Sequence, residues 1–329
     1  MTTKDVRDVV YSPNDAAKEA IATIEERRTQ VGVGVRVGIP CIDKYFQPAR
    51  PGQLIAVIGR TSHYKTGLMT FWARNAAQAI QEEQSLKQCV IYVTWESAVE
   101  ELLALDLAAT LRISVTDIFQ GRITDAQMDN LRAMAFKRAA LPVWIVGHSI
   151  KEGKARPRLT LSLVAKALAH IQKQYELAPR IIFLDYLQQI EGEEGEDRRM
   201  KVFHDVRRAK DMSYAMRCPV VVGTQAKRDA YKDNQWGTPG IADSLETSNL
   251  EHTVDGMLGV WMPIHTYGEG KLLPEVAGYD GPRLTATSNL LILRVLKQRM
   301  GPAGRWWPMW VDPTRNFIAE MDTEHGDMP

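Results

Sequence analysis

Apolar and polar positions along this chain alternate between two rhythms. Short unbroken apolar runs recur at Leu54–Ile58, Cys89–Thr94, Val143–Val146, Ile181–Leu184, Pro219–Thr224, Met257–Met262 and Leu290–Leu296. Runs of that length and composition predict strands covered on both faces. Between them, apolar residues recur at helical spacing: Gly67–Ile80, Val99–Leu111, one or two helices over Thr116–Arg138, then Thr160–Tyr175 and Met200–Met216. The pattern predicts an α/β fold, and Arg305–Val311 with Asn316–Ala319 predicts a hairpin that closes the sheet. The tryptophans of that hairpin read as packing, and His170 packs or caps on its helix.

The remaining stretches are less regular. Residues 1–33 are polar apart from a helix running from Asn14 or Asp15, as cap, to Arg28, with Ala17, Ile21 and Ile24 on one stripe. Such a stripe must lie against its own domain or against a neighbouring subunit, and the spacing leaves both open. Gly32–Gly38 reads as a connector and Ile39–Phe46 as a short helix. Glu191–Arg199, Asn234–Asn249 and Tyr267–Ser288 read as loops, and residues after Met321 as a fraying tail.

Composition narrows the picture by exclusion. The chain has 329 residues and a net charge of +1, so no global field draws it to nucleic acid or to a membrane. Its three cysteines (Cys41, Cys89, Cys218) are widely spaced, which suits buried thiols and neither a disulfide framework nor a zinc site. With no apolar leader and no run long enough to span a bilayer, a cytoplasmic protein is expected.

The candidate chemistry begins at the first buried strand. Leu54–Ile58 ends at Gly59, followed by Arg60, Thr61, Ser62, His63 and Tyr64, and Lys65-Thr66-Gly67 opens a helix. Strand, tight loop, Lys-Thr and helix form the layout of a phosphate-binding P-loop. Loop N–H groups and the helix N-terminus would hold a triphosphate. Lys65 would reach the β- and γ-phosphates of ATP, and Thr66 would ligate Mg²⁺. The pattern G-x-x-x-x-G-K-[ST] wants glycine where Tyr64 stands. If that position needs positive φ, the tyrosine is strained; if the loop bends differently, its phenol lies over the nucleotide or a neighbouring subunit.

Three later strands each deliver a polar group to the same sheet edge. Glu96, after Cys89–Thr94, would orient and deprotonate a water, or else simply favours a helix N-terminus. Asp185 closes the run in RIIFLDYLQ, a costly place for a carboxylate unless a cation is near. It would hold the magnesium beside Thr66. Gln225, after PVVVGT, would sense the γ-phosphate or make a strand-end hydrogen bond.

Taken in order, GRTSHYKT, TWES, IIFLDYLQ, VVVGTQAKR, DSLETSNLEHTVD and KQRMGP resemble the RecA-like motor domain of DnaB-type replicative helicases. DYLQ and KQR-x-GP are the most specific matches. The resemblance implies a RecA-like P-loop NTPase core over 34–321, with a mostly parallel central sheet and C-terminal antiparallel strands. Residues 1–33 would then be a linker helix docking on a neighbour, and 322–329 a flexible tail. The family's N-terminal primase-interacting domain is absent from this sequence. A homo-oligomeric, commonly hexameric ring is implied, with ATP between subunits. Lys297 and Arg299 would reach the neighbouring γ-phosphate; without the resemblance they read as a solvated basic turn.

The sequence also departs from that family. Where its DNA-gripping loop runs Arg-Glu-Ser-Gly, this chain has Leu245, Glu246, Thr247 and Ser248, and Glu191–Asp197 is acidic where a channel would meet phosphates. Candidate contacts to single-stranded DNA are Lys227, Arg228, Lys232, Glu246 and Ser248. Two functions follow. One is an ATP-hydrolysing helicase motor on single-stranded DNA. The other is a nucleotide-gated assembly or regulatory subunit that binds partner proteins or nucleic acid without unwinding.

Overall fold

The computed structural model describes residues 10–29, 34–151, 157–191, 198–227, 239–244, 249–274 and 283–321. The chain divides into two compact units, with the boundary after Gly34. The first contains the helix Pro13–Thr29. Its cap is Ser12 rather than Asn14 or Asp15: the Asp15 N–H donates to Ser12 Oγ at 3.2 Å. Pro13 explains the shift, because its fixed φ and missing N–H suit the first helical position. Ile21 and Ile24 on its stripe are exposed.

The second unit is built on one nine-stranded sheet. Its strands are β1 (Leu54–Gly59), β2 (Gln88–Thr94), β3 (Val143–Val146), β4 (Ala178–Asp185), β5 (Val220–Gln225), β6 (Gly256–Trp261), β7 (Leu290–Gln298), β8 (Trp306–Asp312) and β9 (Phe317–Glu320). They lie in the order β3-β2-β4-β5-β1-β6-β7-β8-β9. From β3 to β6 every pair is parallel, and from β6 to β9 every pair is antiparallel. The mostly parallel sheet with C-terminal antiparallel strands is the architecture expected from the sequence.

The unbroken apolar runs are explained by cover on both faces. Along β1, Ile55 and Val57 join one core while Leu54, Ala56 and Ile58 join the other, because successive side chains of a strand point to opposite sides. The helix Lys65–Glu82 covers the first face with Leu68, Met69, Trp72, Ala76 and Ile80. The helices Leu161–Tyr175 and Arg198–Ala215 cover the second with Val164, Leu168, Val202 and Val206. Cys89 and Cys218 are buried thiols, Cys41 is half-buried, and all three are free.

Several segments read as loops carry more structure than their composition suggests. Leu273 and Leu284 pack with Trp261, Leu290 and Ile292 in a small third core, and Leu272 bridges Thr285. Ile241–Asp243 forms a short 3₁₀ turn, and Ser244 bridges Ala226. Glu191 is tied down, its carboxylate accepting the Leu159 N–H. His170 is exposed and edges against Tyr175. Among the described residues no helix is long and apolar enough to cross a membrane.

Candidate active site

Parallel register gathers the candidate residues at one edge of the sheet. Gly59 at the end of β1 pairs with Gln225 at the end of β5, and Thr94 at the end of β2 pairs with Asp185 at the end of β4. Lys65 and Thr66 open the helix that leaves the β1 loop. A cavity of about 560 Å³ lies there, lined by Lys65, Thr66, Gly67, Glu96 and Gln225 among others. This is where an open α/β sheet presents its binding crevice.

The loop bends sharply at two residues, Ser62 at φ 65° and Tyr64 at φ 66°. The left-handed conformation expected of a glycine is therefore present at position 64, at a cost of about 1–2 kcal/mol for tyrosine. The phenol ring lies against Gly67 and lines the cavity. Its hydroxyl donates to the Phe317 carbonyl at 3.0 Å, a bond whose net worth is about 1 kcal/mol and which offsets much of that cost. His63 is buried rather than turned to the cavity: its Nδ1 accepts the Met262 N–H at 3.1 Å. Burial, with His265, Lys65 and Arg60 nearby, pushes its pKa down to about 3, so the ring is neutral.

Lys65 is buried, and its Nζ donates to the Arg60 carbonyl at 2.7 Å. Burial pulls its pKa down to about 8, against the opposing pull of Asp185 and Glu96. Asp185 is buried too. Its Oδ2 accepts from the Tyr92 hydroxyl at 2.8 Å, whereas Oδ1 has no hydrogen-bond partner. Burial raises its pKa, and the Tyr92 hydroxyl, Thr66 and Lys65 only partly restrain it. A buried oxygen left unpartnered beside a threonine hydroxyl is the donor set a magnesium ion completes, the rest coming from phosphate oxygens and water. ATP and Mg²⁺ thus fit the residues present.

Glu96 stands on the exposed rim of the cavity. Its pKa is raised by burial and then by Asp185, while Lys65 lowers it. Gln225 does more than cap its strand: Nε2 donates to Thr61 Oγ1 at 2.8 Å, which links strand β5 to the P-loop. Its N–H donates in turn to Gln188 Oε1 at 3.1 Å.

Other residues belong elsewhere or were missed. Arg299 and Lys297 lie at the opposite edge of the sheet, where Gln298 pairs with Gly256 at the start of β6. Arg299 Nη1 donates to Asp255 Oδ1 at 3.0 Å, and Lys297 Nζ donates to the Glu251 carbonyl. Six strand residues at roughly 3.3 Å each separate that edge from the P-loop, so Arg299 serves no P-loop of its own chain. Lys227 donates its N–H to Asp243 and its Nζ to Ala242. Arg228, Lys232, Glu246 and Ser248 lie outside the described residues. The cavity wall contributed by Tyr186, Pro313 and Asn316 was not identified from sequence. Tyr186 adjoins Asp185, and Lys65 Nζ sits 5.8 Å from its ring centroid. Pro313 and Asn316 carry no local signal, because they reach the site only through the C-terminal hairpin.

Comparisons with known proteins agree with this fold. The profile described as DnaB-like helicase C terminal domain matches residues 34–318. A replicative DNA helicase DnaB of Rickettsia bellii (strain RML369-C) is 22% identical over 321 residues, covering 93% of this chain and 62% of the relative. That of Leifsonia xyli subsp. xyli (strain CTCB07) is 23% identical, with 77% and 52% covered. The chain thus spans about half to three-fifths of the length of these relatives. Among solved structures, the ATPase domain of G40P superposes with TM-score 0.73 at 16% identity, covering 93% of this chain and 98% of that one. A DnaB-like replicative helicase, solved in a study of its interactions with primase, gives 0.71 at 16% identity, covering 92% and 66%. At that identity the two structures establish the fold.

Proposed function

Because the chain belongs to the DnaB-like helicase C-terminal domain family, we propose that it is an ATP-hydrolysing helicase motor that works on single-stranded DNA as a homo-oligomeric ring. The observation that carries this reading is the buried Asp185, with Oδ1 unpartnered, beside Thr66 and Lys65, which themselves line a cavity at the end of the P-loop strand. Loop N–H groups, Lys65 and the helix N-terminus bind the triphosphate. Asp185 and Thr66 hold Mg²⁺, which when bound neutralises phosphate charge. Glu96, its pKa raised, takes a proton from the attacking water. Gln225 reports the γ-phosphate to the P-loop through Thr61.

Arg299 completes the site of the next subunit. It sits across the sheet from its own Lys65, and its side chain is 69% exposed, so it is presented outward with Asp255 as its brace. ATP therefore lies between subunits, in a ring of the hexameric kind. The domain division follows: 34–321 is the ATPase, 1–33 a linker helix that docks on a neighbour, and 322–329 a tail. Lys227, Arg228, Lys232, Glu246 and Ser248 remain the candidate DNA contacts.

The second reading, a nucleotide-gated assembly without unwinding, is favoured by one feature: no arginine or glycine stands among Leu245–Ser248. One experiment separates the two. ATP turnover, mass and strand displacement are measured with Mg²⁺, with and without single-stranded DNA. The motor reading expects DNA-stimulated hydrolysis by an oligomer that displaces a strand. Hydrolysis without DNA binding at low salt would favour the assembly, and absence of hydrolysis in every condition would sink the ATPase.

A further inference from the structure

Tyr64 stands where the P-loop pattern asks for glycine, and its phenol is fully engaged. The hydroxyl donates to the Phe317 carbonyl at 3.0 Å. The ring covers Gly67 so closely that a Cβ there would stand 2.6 Å from Cε1 and Cζ. The same hairpin makes a second bond to the helix, from Asn316 Nδ2 to Thr70 Oγ1 at 3.1 Å. Thr70 Oγ1 in turn donates back to the Thr66 and Gly67 carbonyls. Tyr64 and Asn316 thus fasten the Asp312–Asn316 turn to the first turns of the P-loop helix, from residues 253 and 246 positions apart in sequence.

That turn is part of the cavity. Pro313 and Asn316 line it together with Leu105, and none of the three carries a charge; Glu101, one turn before Leu105, lines it too, with its carboxylate accepting the Ala98 N–H. Lys65, Thr66, Glu96 and Gln225 line the cavity with charged and polar groups suited to phosphates, and Asp185 is buried beside Thr66 and Lys65. The turn's own contribution, a proline and one amide, suits a nucleoside instead, which offers an apolar face and hydrogen-bonding edges.

We propose that Tyr64 is a positioning residue that holds the Asp312–Asn316 turn as the nucleoside-contacting wall of the site. This rests on the nucleotide reading above. Its consequence is specific: the departure from glycine trades loop freedom for a fixed contact with the base and sugar. Tyr64 acts on the nucleoside half of ATP through the hairpin and leaves the phosphate half to the loop.

The test compares two ligands on one site. Calorimetric affinities of Mg-ATP and of magnesium tripolyphosphate, which lacks a nucleoside, are measured for the full chain, Tyr64→Phe and Asn316→Ala. Tyr64→Phe keeps the ring over Gly67 and removes only the hydroxyl, so it guards against misfolding. Loss of one neutral hydrogen bond should weaken ATP by about fivefold and tripolyphosphate far less. Asn316→Ala should shift the ratio of the two affinities in the same direction. Equal weakening of both ligands would mean that Tyr64 serves the phosphate loop itself, and an unchanged ratio in both variants would also overturn the proposal. If the unaltered chain bound tripolyphosphate but not ATP, the nucleoside wall would be wrong while the phosphate site stood. Failure to bind either ligand would overturn the nucleotide reading and this proposal with it.

Discussion

Each edge of the parallel sheet carries a buried carboxylate with cations nearby, yet the two are in opposite states. At the N-terminal edge Asp255 is saturated: Oδ2 accepts from Lys210 Nζ at 2.6 Å and from the Leu54 N–H at 2.9 Å, and Oδ1 from Arg299 at 3.0 Å. At the C-terminal edge Asp185 has one hydroxyl on Oδ2 and an unpartnered Oδ1. Burial acts to raise the pKa of both. For Asp255 the hydrogen bonds from Lys210, Leu54 and Arg299 win and lower it; for Asp185 burial wins. A saturated carboxylate serves the fold, whereas the unpartnered oxygen of the starved Asp185 is what the proposed magnesium site rests on.

Arg299 tests the contrast most severely, since it belongs to the saturated cluster yet is assigned to chemistry. Arginine fingers contribute about 10³–10⁵ in rate. Arg299→Ala is expected to assemble and bind ATP while hydrolysis falls on that scale. Mixing it with Lys65→Ala subunits should recover some turnover. Loss of stability with normal turnover would reassign Arg299 to bracing Asp255.

Glu96→Gln sharpens the starved edge. A general base contributes about 10²–10⁴-fold, so single-turnover hydrolysis should drop within that range with ATP still bound. Because the Glu96 pKa is raised, the unaltered enzyme should lose turnover as pH falls through that raised value. A loss below roughly tenfold in the variant would reduce Glu96 to a helix-terminal residue.

The saturated edge makes a thermodynamic prediction. Asp255→Ala strands Lys210 and the Leu54 N–H, so chemical denaturation should show a loss of about 3–5 kcal/mol. The lowered Asp255 pKa contributes stability above the usual carboxylate value of 3.8, lost as pH falls through the folded-state value. A near-neutral result would mean that the cluster is ornamental to the fold.

The smallest effect concerns Lys65, with its pKa near 8. Bound phosphate favours the ammonium, so above that pH binding must take up a proton. ATP affinity should fall by up to about tenfold per pH unit there, with proton uptake seen calorimetrically in buffers of different ionisation heat. Folding responds in the opposite sense: between about 8 and the ordinary 10.5 the unfolded chain holds more proton, so stability rises with pH. An affinity flat through this range would place Lys65 away from the phosphates.

What could be read from sequence followed from periodicity and cost. The buried strands were visible as unbroken apolar runs, and Asp185 and Gln225 stood out because polar residues seldom close such runs. Parallel register then brought them together. Tyr64 was visible only as a departure, since its partner Phe317 lies across the whole chain. His63 read as a loop residue facing phosphate, but the space behind the loop, against Met262, takes its neutral ring. Pro313 and Asn316 had no signal because a turn's contribution depends on where the hairpin folds back. The Tyr267–Ser288 stretch reads as a loop and its described residues after Tyr267 form no helix or strand, yet Leu273 and Leu284, too sparse to show a period, pack into a small core.

The central claim is that the starved carboxylate is the magnesium-nucleotide site. Asp185→Asn, titrated calorimetrically with ATP in magnesium and in EDTA, tests it most directly. The buried charge costs stability in the unliganded protein, so the variant should be at least as stable as the unaltered chain. Its ATP affinity in magnesium should fall to the level that the unaltered chain shows in EDTA. An affinity in magnesium equal to that of the unaltered chain would contradict the account.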